Sequence, residues 1–178
     1  MAKFQKTAFT VPVHDLIHRP GEERPLEREI ELPERWGEGL AWIPEGGIIE
    51  VEGRLESIHE GILATADVTT TAEAECGRCL EPFTLPLEVE IQELFAYSLD
   101  EAFDYEVLDD HVDLEPLIRD AVVLALPFQP VCQPDCRGLN PETGTKRTDS
   151  SGDDDVSLDP RWAALSEFTA SDTTDEPV

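Results

Sequence analysis

Ile62-Leu63-Ala64-Thr65-Ala66-Asp67-Val68-Thr69-Thr70-Thr71-Ala72-Glu73-Ala74-Glu75-Cys76-Gly77-Arg78-Cys79 is the stretch that decides how this chain folds. Every second residue from Ile62 through Ala64, Ala66, Val68, Thr70, Ala72 and Ala74 to Cys76 belongs to one small or apolar set. That is the period-2 mark of a strand with one buried face. Cys76 closes the row, and Gly77 permits a tight turn. Beyond the turn, Phe83, Leu85, Leu87, Val89 and Ile91 repeat the alternation and run on to Phe95 and Tyr97. Ahead of it, Ile49, Val51, Gly53 and Leu55 alternate with Glu50, Glu52, Arg54 and Glu56, and His59-Glu60-Gly61 makes the turn. Connections this short imply three consecutive antiparallel strands, a meander.

The flanks are less regular. Phe9-Thr10-Val11-Pro12-Val13 reads as a short edge strand, since Pro12 lacks a donor. His14 and His18 have a metal-like spacing if helical, but strand-like residues precede them and Arg19-Pro20-Gly21 stops the segment, so they read as exposed loop histidines. Glu22 to Trp36 is charged, with a brief alternation at Glu29-Ile30-Glu31-Leu32, and Gly37 to Gly47 is turn material. Ser98 to His111 reads as an acidic surface loop. Asp113 can cap a helix whose first turn holds Glu115 and Pro116, both favoured there. Leu114, Leu117, Ile118, Ala121, Val122, Leu124 and Ala125 give that helix a broad apolar face, and Pro127 ends it. Laid across the sheet, it would carry Cys132 and Cys136 towards one sheet edge.

From Pro141 the composition shifts to Ser, Thr, Asp, Gly and Pro, the signature of a disordered acidic tail. Asp159-Pro160-Arg161-Trp162-Ala163-Ala164-Leu165-Ser166-Glu167-Phe168 interrupts it with a short helical pattern. The expected architecture is therefore α+β: an antiparallel meander, its closure into a barrel left open, covered by one C-terminal helix. It occupies residues 1–140, followed by a disordered tail over 141–178 with a short helix near 159–168.

The 178 residues carry 40 acidic and 13 basic side chains, a formal charge of −27. Such a surface repels polyanions and attracts basic partners. A broad nucleic-acid-binding face needs clustered Lys and Arg, and the charge argues against a grip on bare RNA. The N-terminal segment shows no apolar core of a signal peptide, and no apolar run approaches the roughly 18 residues needed to cross a bilayer. The expected compartment is the cytoplasm, where paired cysteines more often bind metal or do redox work than form disulfides. Phosphate-binding glycine loops, a G-x-S-x-G elbow and a zinc-protease motif are all missing, so neither an enzyme nor a small-molecule substrate is indicated.

In Arg19-Pro20-Gly21, Arg54-Leu55-Glu56-Ser57, Glu60-Gly61 and above all Cys76-Gly77-Arg78-Cys79-Leu80-Glu81-Pro82, the chain resembles the YceD family, the large ribosomal RNA subunit accumulation proteins. The resemblance continues through Gln92-Glu93-Leu94-Phe95-Ala96-Tyr97, Asp113-Leu114-Glu115-Pro116, Leu126-Pro127, Asp135-Cys136 and Asp159-Pro160-Arg161-Trp162, in the manner of an actinobacterial-type member. It implies a bacterial factor in the synthesis, processing or stability of large-subunit (23S) rRNA, with no established enzymatic activity. The resemblance points at rRNA, whereas the charge of −27 makes the expected partner a large-subunit component of opposite sign: a basic ribosomal protein or a pre-ribosomal particle. Many members carry two further cysteines in a Gly-Leu-Cys-Pro-x-Cys-Gly segment. Here Asn140 and Thr143 stand at those positions, so the C-terminal segment cannot by itself make a four-thiolate site.

Three readings of the cysteines stand side by side. Cys76, Cys79, Cys132 and Cys136 form a four-cysteine zinc site, the x2 and x3 spacings being within the usual ligand range. They are reduced structural thiols. Or Cys76 and Cys79 form a redox pair, in a thiol oxidoreductase or redox sensor, with only Arg78 at hand to activate a thiolate. Arg78 is either a solvated turn cation or a binding residue that gives the cysteine edge its specificity.

Overall fold

The computed structural model describes residues 6–98, 104–140 and 143–147. In chain order the elements are β1 (Thr10–Pro12), β2 (Glu23–Glu31), β3 (Ala41–Trp42), β4 (Ile48–Ser57), β5 (Gly61–Glu75), β6 (Pro82–Ala96), β7 (Tyr105–Glu106), β8 (His111–Asp113) and α1 (Glu115–Ala125). β2, β4, β5 and β6 lie side by side in antiparallel order; β7 joins β6 in parallel register, and β3 pairs with the end of β5. β1 and β8 make a separate two-stranded ribbon.

The alternation in the sequence becomes the two faces of the sheet. Ile49, Val51 and Leu55 of β4, Ile62, Ala64, Ala66, Val68, Ala72 and Ala74 of β5, and Ile91 and Phe95 of β6 are buried on one side. All of these but Ala74 join Phe9, Val11, Leu16, Trp36, Val112, Leu114, Ile118 and Val122 in one core. Each fully buried large apolar side chain there stabilises the fold by about 1.5–3 kcal/mol before entropy is subtracted. The other face is charged, and the register aligns its carboxylates in rows. Glu27 pairs with Glu52, Glu52 with Asp67, and Asp67 with Glu90. In the next row Glu29 pairs with Glu50, Glu50 with Thr69, and Thr69 with Glu88. Like charges directly opposite one another are destabilising; the Thr69 hydroxyl relieves one position by donating to Glu50 Oε2 at 3.1 Å.

The helix begins one residue later than its capping aspartate suggests. Leu114 occupies the N-cap position with αR backbone and makes no side-chain cap, because leucine has no acceptor; its side chain is buried in the core instead. Asp113 Oδ1 nevertheless accepts the Glu115 N–H at 3.1 Å. At the other end Leu126 is extended (φ −61°, ψ 130°), as a residue before proline must be. Arg24 fastens the β1 segment to the sheet: Nη1 reaches both Asp15 oxygens at 2.8 and 3.0 Å, and Nη2 donates to the Pro12 carbonyl at 2.7 Å.

Several expectations change. The sheet is not a closed barrel: β2 and β7 end the strand order and do not pair. Prolines at Pro25, Pro82 and Pro86 withhold donors from the strands that closure would have to join. The turn region expected around Gly37–Gly47 contains β3, and the acidic loop before His111 contains β7. β2 spans nine residues rather than the four of its visible alternation. The described residues from 139 onward belong to a second unit. In it Leu139 bridges Lys146, and Asn140 accepts the Thr143 N–H through Oδ1 at 3.2 Å. The expected helix near 159–168 lies outside the described residues.

Gly53 faces β5 so closely that an added Cβ would stand 2.1 Å from the Thr65 carbonyl oxygen and 2.5 Å from Ala66 Cα. Gly53→Ala is expected to destabilise the fold by about 1–3 kcal/mol through overpacking, read from the urea denaturation midpoint; an unchanged midpoint would contradict that close approach.

Candidate functional site

The turn after β5 is built by the backbone. Cys76 N–H donates to the Glu81 carbonyl at 2.9 Å, and Leu80 N–H donates back to the Cys76 carbonyl at 2.8 Å. Leu80 takes a left-handed backbone, φ +60°, and its side chain projects into solvent, 61% exposed. The loop before β3 lies alongside, with Glu75 N–H donating to the Leu40 carbonyl at 2.8 Å.

The segment after α1 closes on this turn. Gly77 N–H donates to the Pro130 carbonyl at 2.8 Å. Arg78 Nη1 donates to the carbonyls of Pro134 and Cys136 at 3.2 and 3.0 Å. Cys136 N–H turns back to the Gln133 carbonyl at 3.1 Å. Gly138 (φ +76°) completes the approach: a Cβ there would lie 2.9 Å from the Arg78 carbonyl oxygen. Arg78 therefore joins the turn to the post-helix segment, and because both bonds use Nη1, Nε and Nη2 have no hydrogen-bond partner among the described residues.

All four cysteines converge. Their sulfur atoms lie within 4.8 Å of one another; Cys76 Sγ is 3.8 Å from Cys136 Sγ, and Cys79 Sγ is 3.8 Å from Cys132 Sγ. All four are free thiols. Cys76, Cys79 and Cys136 are buried and Cys132 is half-buried. Burial alone would raise the Cys76 pKa, but backbone N–H groups of Cys132, Cys79 and Arg78 and the Cys79 side chain draw it down to about 6. Cys132 is pushed up to about 12, first by burial and then by the neighbouring thiols of Cys76, Cys136 and Cys79. Cys79 is raised: the Glu81 backbone lowers it, but burial and the thiols of Cys76 and Cys136 outweigh that donor. The cluster thus concentrates negative charge on one sulfur and resists a second, as crowded thiols without a counter-charge must.

The other sequence candidates lie elsewhere. His14 and His18 sit in a turned segment and are exposed; His18 packs its ring on Tyr97 at 4.7 Å and donates its backbone N–H to the Tyr97 hydroxyl at 3.0 Å. Beside the cysteine turn a cavity of about 530 Å³ is lined by Gly37, Leu40, Val123, Leu126 and Phe128. Pro130 and Gly138, which shape the clamp, carry no sequence signal beyond their turn-forming character.

Fold and cluster together define a small α+β protein in which an open antiparallel sheet and a helix hold a four-thiol knot. Residues 64–169 match the family described as large ribosomal RNA subunit accumulation protein YceD, and this chain belongs to that family. An uncharacterized protein of Mycobacterium tuberculosis is 40% identical over 167 residues, covering 90% of this chain and 81% of its own length. One of Mycobacterium leprae is 35% identical over 164 residues, covering 88% and 76%. The uncharacterized protein YlbN of Bacillus subtilis is 25% identical over 130 residues, covering 70% and 76%. No solved structure is significantly similar to the chain. No helix among the described residues is long and apolar enough to cross a membrane.

Arg78→Ala removes both guanidinium bonds to the post-helix segment. The four thiols should then react faster with a disulfide reagent in the native protein, while Arg78→Lys, retaining a donor, should restore part of the protection. Equal reaction rates in all three proteins would show that the clamp does not hold the knot closed.

Proposed function

We propose that this protein is a non-enzymatic ribosome-biogenesis factor that supports the synthesis, processing or stability of large-subunit (23S) rRNA in the cytoplasm. The family match over residues 64–169 carries this reading. Its immediate partner is a basic ribosomal protein or assembly intermediate rather than bare RNA. The charge of −27 and the two carboxylate rows support a basic partner. Arg78 supplies local specificity at the cysteine edge through its remaining donors, and residues 141–178 act as an acidic appendage to the domain of residues 1–140.

Cys76, Cys79, Cys132 and Cys136 hold one structural zinc ion in this reading. Four thiolates about 2.3 Å from a tetrahedral zinc stand about 3.8 Å apart, which is the spacing of both close sulfur pairs. The ion would cross-link the β5–β6 turn to the post-helix segment and supply positive charge to a cluster that has none of its own. A redox role fits less well. The one thiol that is drawn down, Cys76, is fully buried, whereas a reactive thiolate needs access as well as a low pKa.

Metal binding to such sites is folding energy, about 10–16 kcal/mol in zinc-finger peptides, against a typical domain stability of about 5–15 kcal/mol. Exhaustive chelation should sharply lower the melting temperature, and Cys79→Ser and Cys132→Ser should each do the same. Freshly purified protein without zinc, and a melt indifferent to chelator, would remove the ion from this account.

The functional reading is tested by depletion and by binding. Cells depleted of the protein should lose mature 23S rRNA relative to 16S. The purified protein should bind basic large-subunit proteins with an affinity that falls steeply as salt rises. Unchanged 23S levels would overturn the assigned process. Tight binding to protein-free 23S rRNA at physiological salt, with no affinity for basic ribosomal proteins, would overturn the assigned partner.

A further inference from the structure

β6 has one full strand partner, and α1 packs against it, but its second edge is nearly empty of strand pairing. It pairs with β5 along its whole length, but on the other side only Phe95 and Ala96 meet β7. From Pro82 to Leu94 that edge has no strand partner among the described residues. In an antiparallel strand alternate residues turn their N–H and C=O to opposite sides, and here the even-numbered positions face the free edge. Ala96 shows the parity, since its carbonyl accepts the Val107 N–H at 2.9 Å from the β7 side. Pro82 and Pro86 share it and have no N–H to offer. Leu94 N–H is taken up by Glu93 Oε1 at 3.1 Å. Glu88, Glu90 and Gln92 are left as three successive open edge positions.

The two faces beside this edge differ in chemistry. On the core side Leu85, Leu87 and Val89 are only partly buried, although they pack against a core whose neighbouring β5 residues Val68 and Ala72 are sealed. On the outer side Glu88 and Glu90 terminate the two carboxylate rows. An added strand would lie about 4.8 Å away. Alternate side chains would then cover Leu87 and Val89, and those between them would stand beside Glu88 and Glu90. A second copy of this edge is a poor occupant, because it would set glutamates against glutamates. Proline and charge are the usual means of keeping an edge strand from pairing indiscriminately. Pro82 and Pro86 block one half of this edge, and the charges of the other half select by sign.

We propose that the β6 edge from Leu87 to Gln92 is a docking site that accepts, as an added strand, an extended basic segment of a partner protein in which Lys or Arg alternates with Val, Ile or Leu. Backbone pairing supplies the grip and the two faces supply the selection, as in other cases of strand addition. The site rests on the reading of the partner as a basic protein and says where and in what conformation that partner is held.

The test uses the full-length protein and two peptides of identical composition, one alternating arginine with valine, the other carrying its arginines and valines in two separate blocks. In the free protein the amides of Glu88, Glu90 and Gln92 should exchange with solvent deuterium much faster than those of Leu87, Val89 and Ile91, which face β5. The alternating peptide should slow those three amides, and bind more tightly than the block peptide. Glu90→Pro copies Pro86 at a position of the same parity and should weaken binding about threefold to tenfold by removing one hydrogen bond. Glu88→Lys together with Glu90→Lys relieves like-charge crowding in the free protein, so its fold is not at risk, and it should abolish preference for the basic peptide. Edge amides already protected in the free chain would overturn the proposal, as would equal binding of both peptides without amide slowing. If basic ribosomal proteins bound while the edge amides kept exchanging freely, the docking site would fall and the functional reading would stand.

Discussion

The joint between residues 76–79 and residues 130–138 is the constraint on which the molecule turns. It is held by one backbone bond from Gly77 to Pro130 and by two bonds from a single guanidinium nitrogen of Arg78. All three acceptors are backbone carbonyls, so the joint specifies the path of the chain rather than any side chain on it. Everything at the cysteine end follows: the sulfurs meet because the backbones are stitched, and Gly138 is a glycine because the stitching leaves no room for a Cβ. The far end of the fold, where Arg24 holds Asp15 and Pro12, is secured by the same device of one arginine spanning two partners.

The central strands are legible in the sequence because they are long and their sides differ. Fifteen residues of β5 and fifteen of β6 give the period-2 pattern room to declare itself, and the inward row from Ile62 to Cys76 lies where alternation puts it. β3, β7 and β8 are not legible as strands, having two or three residues each, too few to show a period. β8 is defined by its partner β1, about a hundred residues earlier in the chain, and a pairing at that distance leaves no local trace. The convergence of the cysteines is legible in part, because α1 packs against β6 and returns the chain to the β5–β6 turn. The clamp by Arg78 is not, since carbonyl acceptors are the same in every residue. Barrel closure is open in the sequence because a meander's alternation is the same whether its edges join or remain apart.

The outer face of the sheet shows a tension between folding and association. Stability alone would place a lysine opposite Glu52 or Asp67; the register instead aligns carboxylate with carboxylate across four strands. The core bears that cost through its sealed inner rows. A chain selected only to fold gains nothing from such rows. One that must meet a cationic surface gains a face whose internal repulsion is relieved when the partner arrives, so that folding strain becomes part of the driving force for association.

The four thiols belong to two segments separated by all of β6 and α1. During vectorial synthesis, a nascent chain extended to residue 131 contains every strand of the sheet and the whole helix, yet only half of the sulfur set. The remaining half arrives within the next five residues. The knot therefore records that synthesis has passed Cys136: no product cut short of that residue, however well its sheet is formed, can carry it.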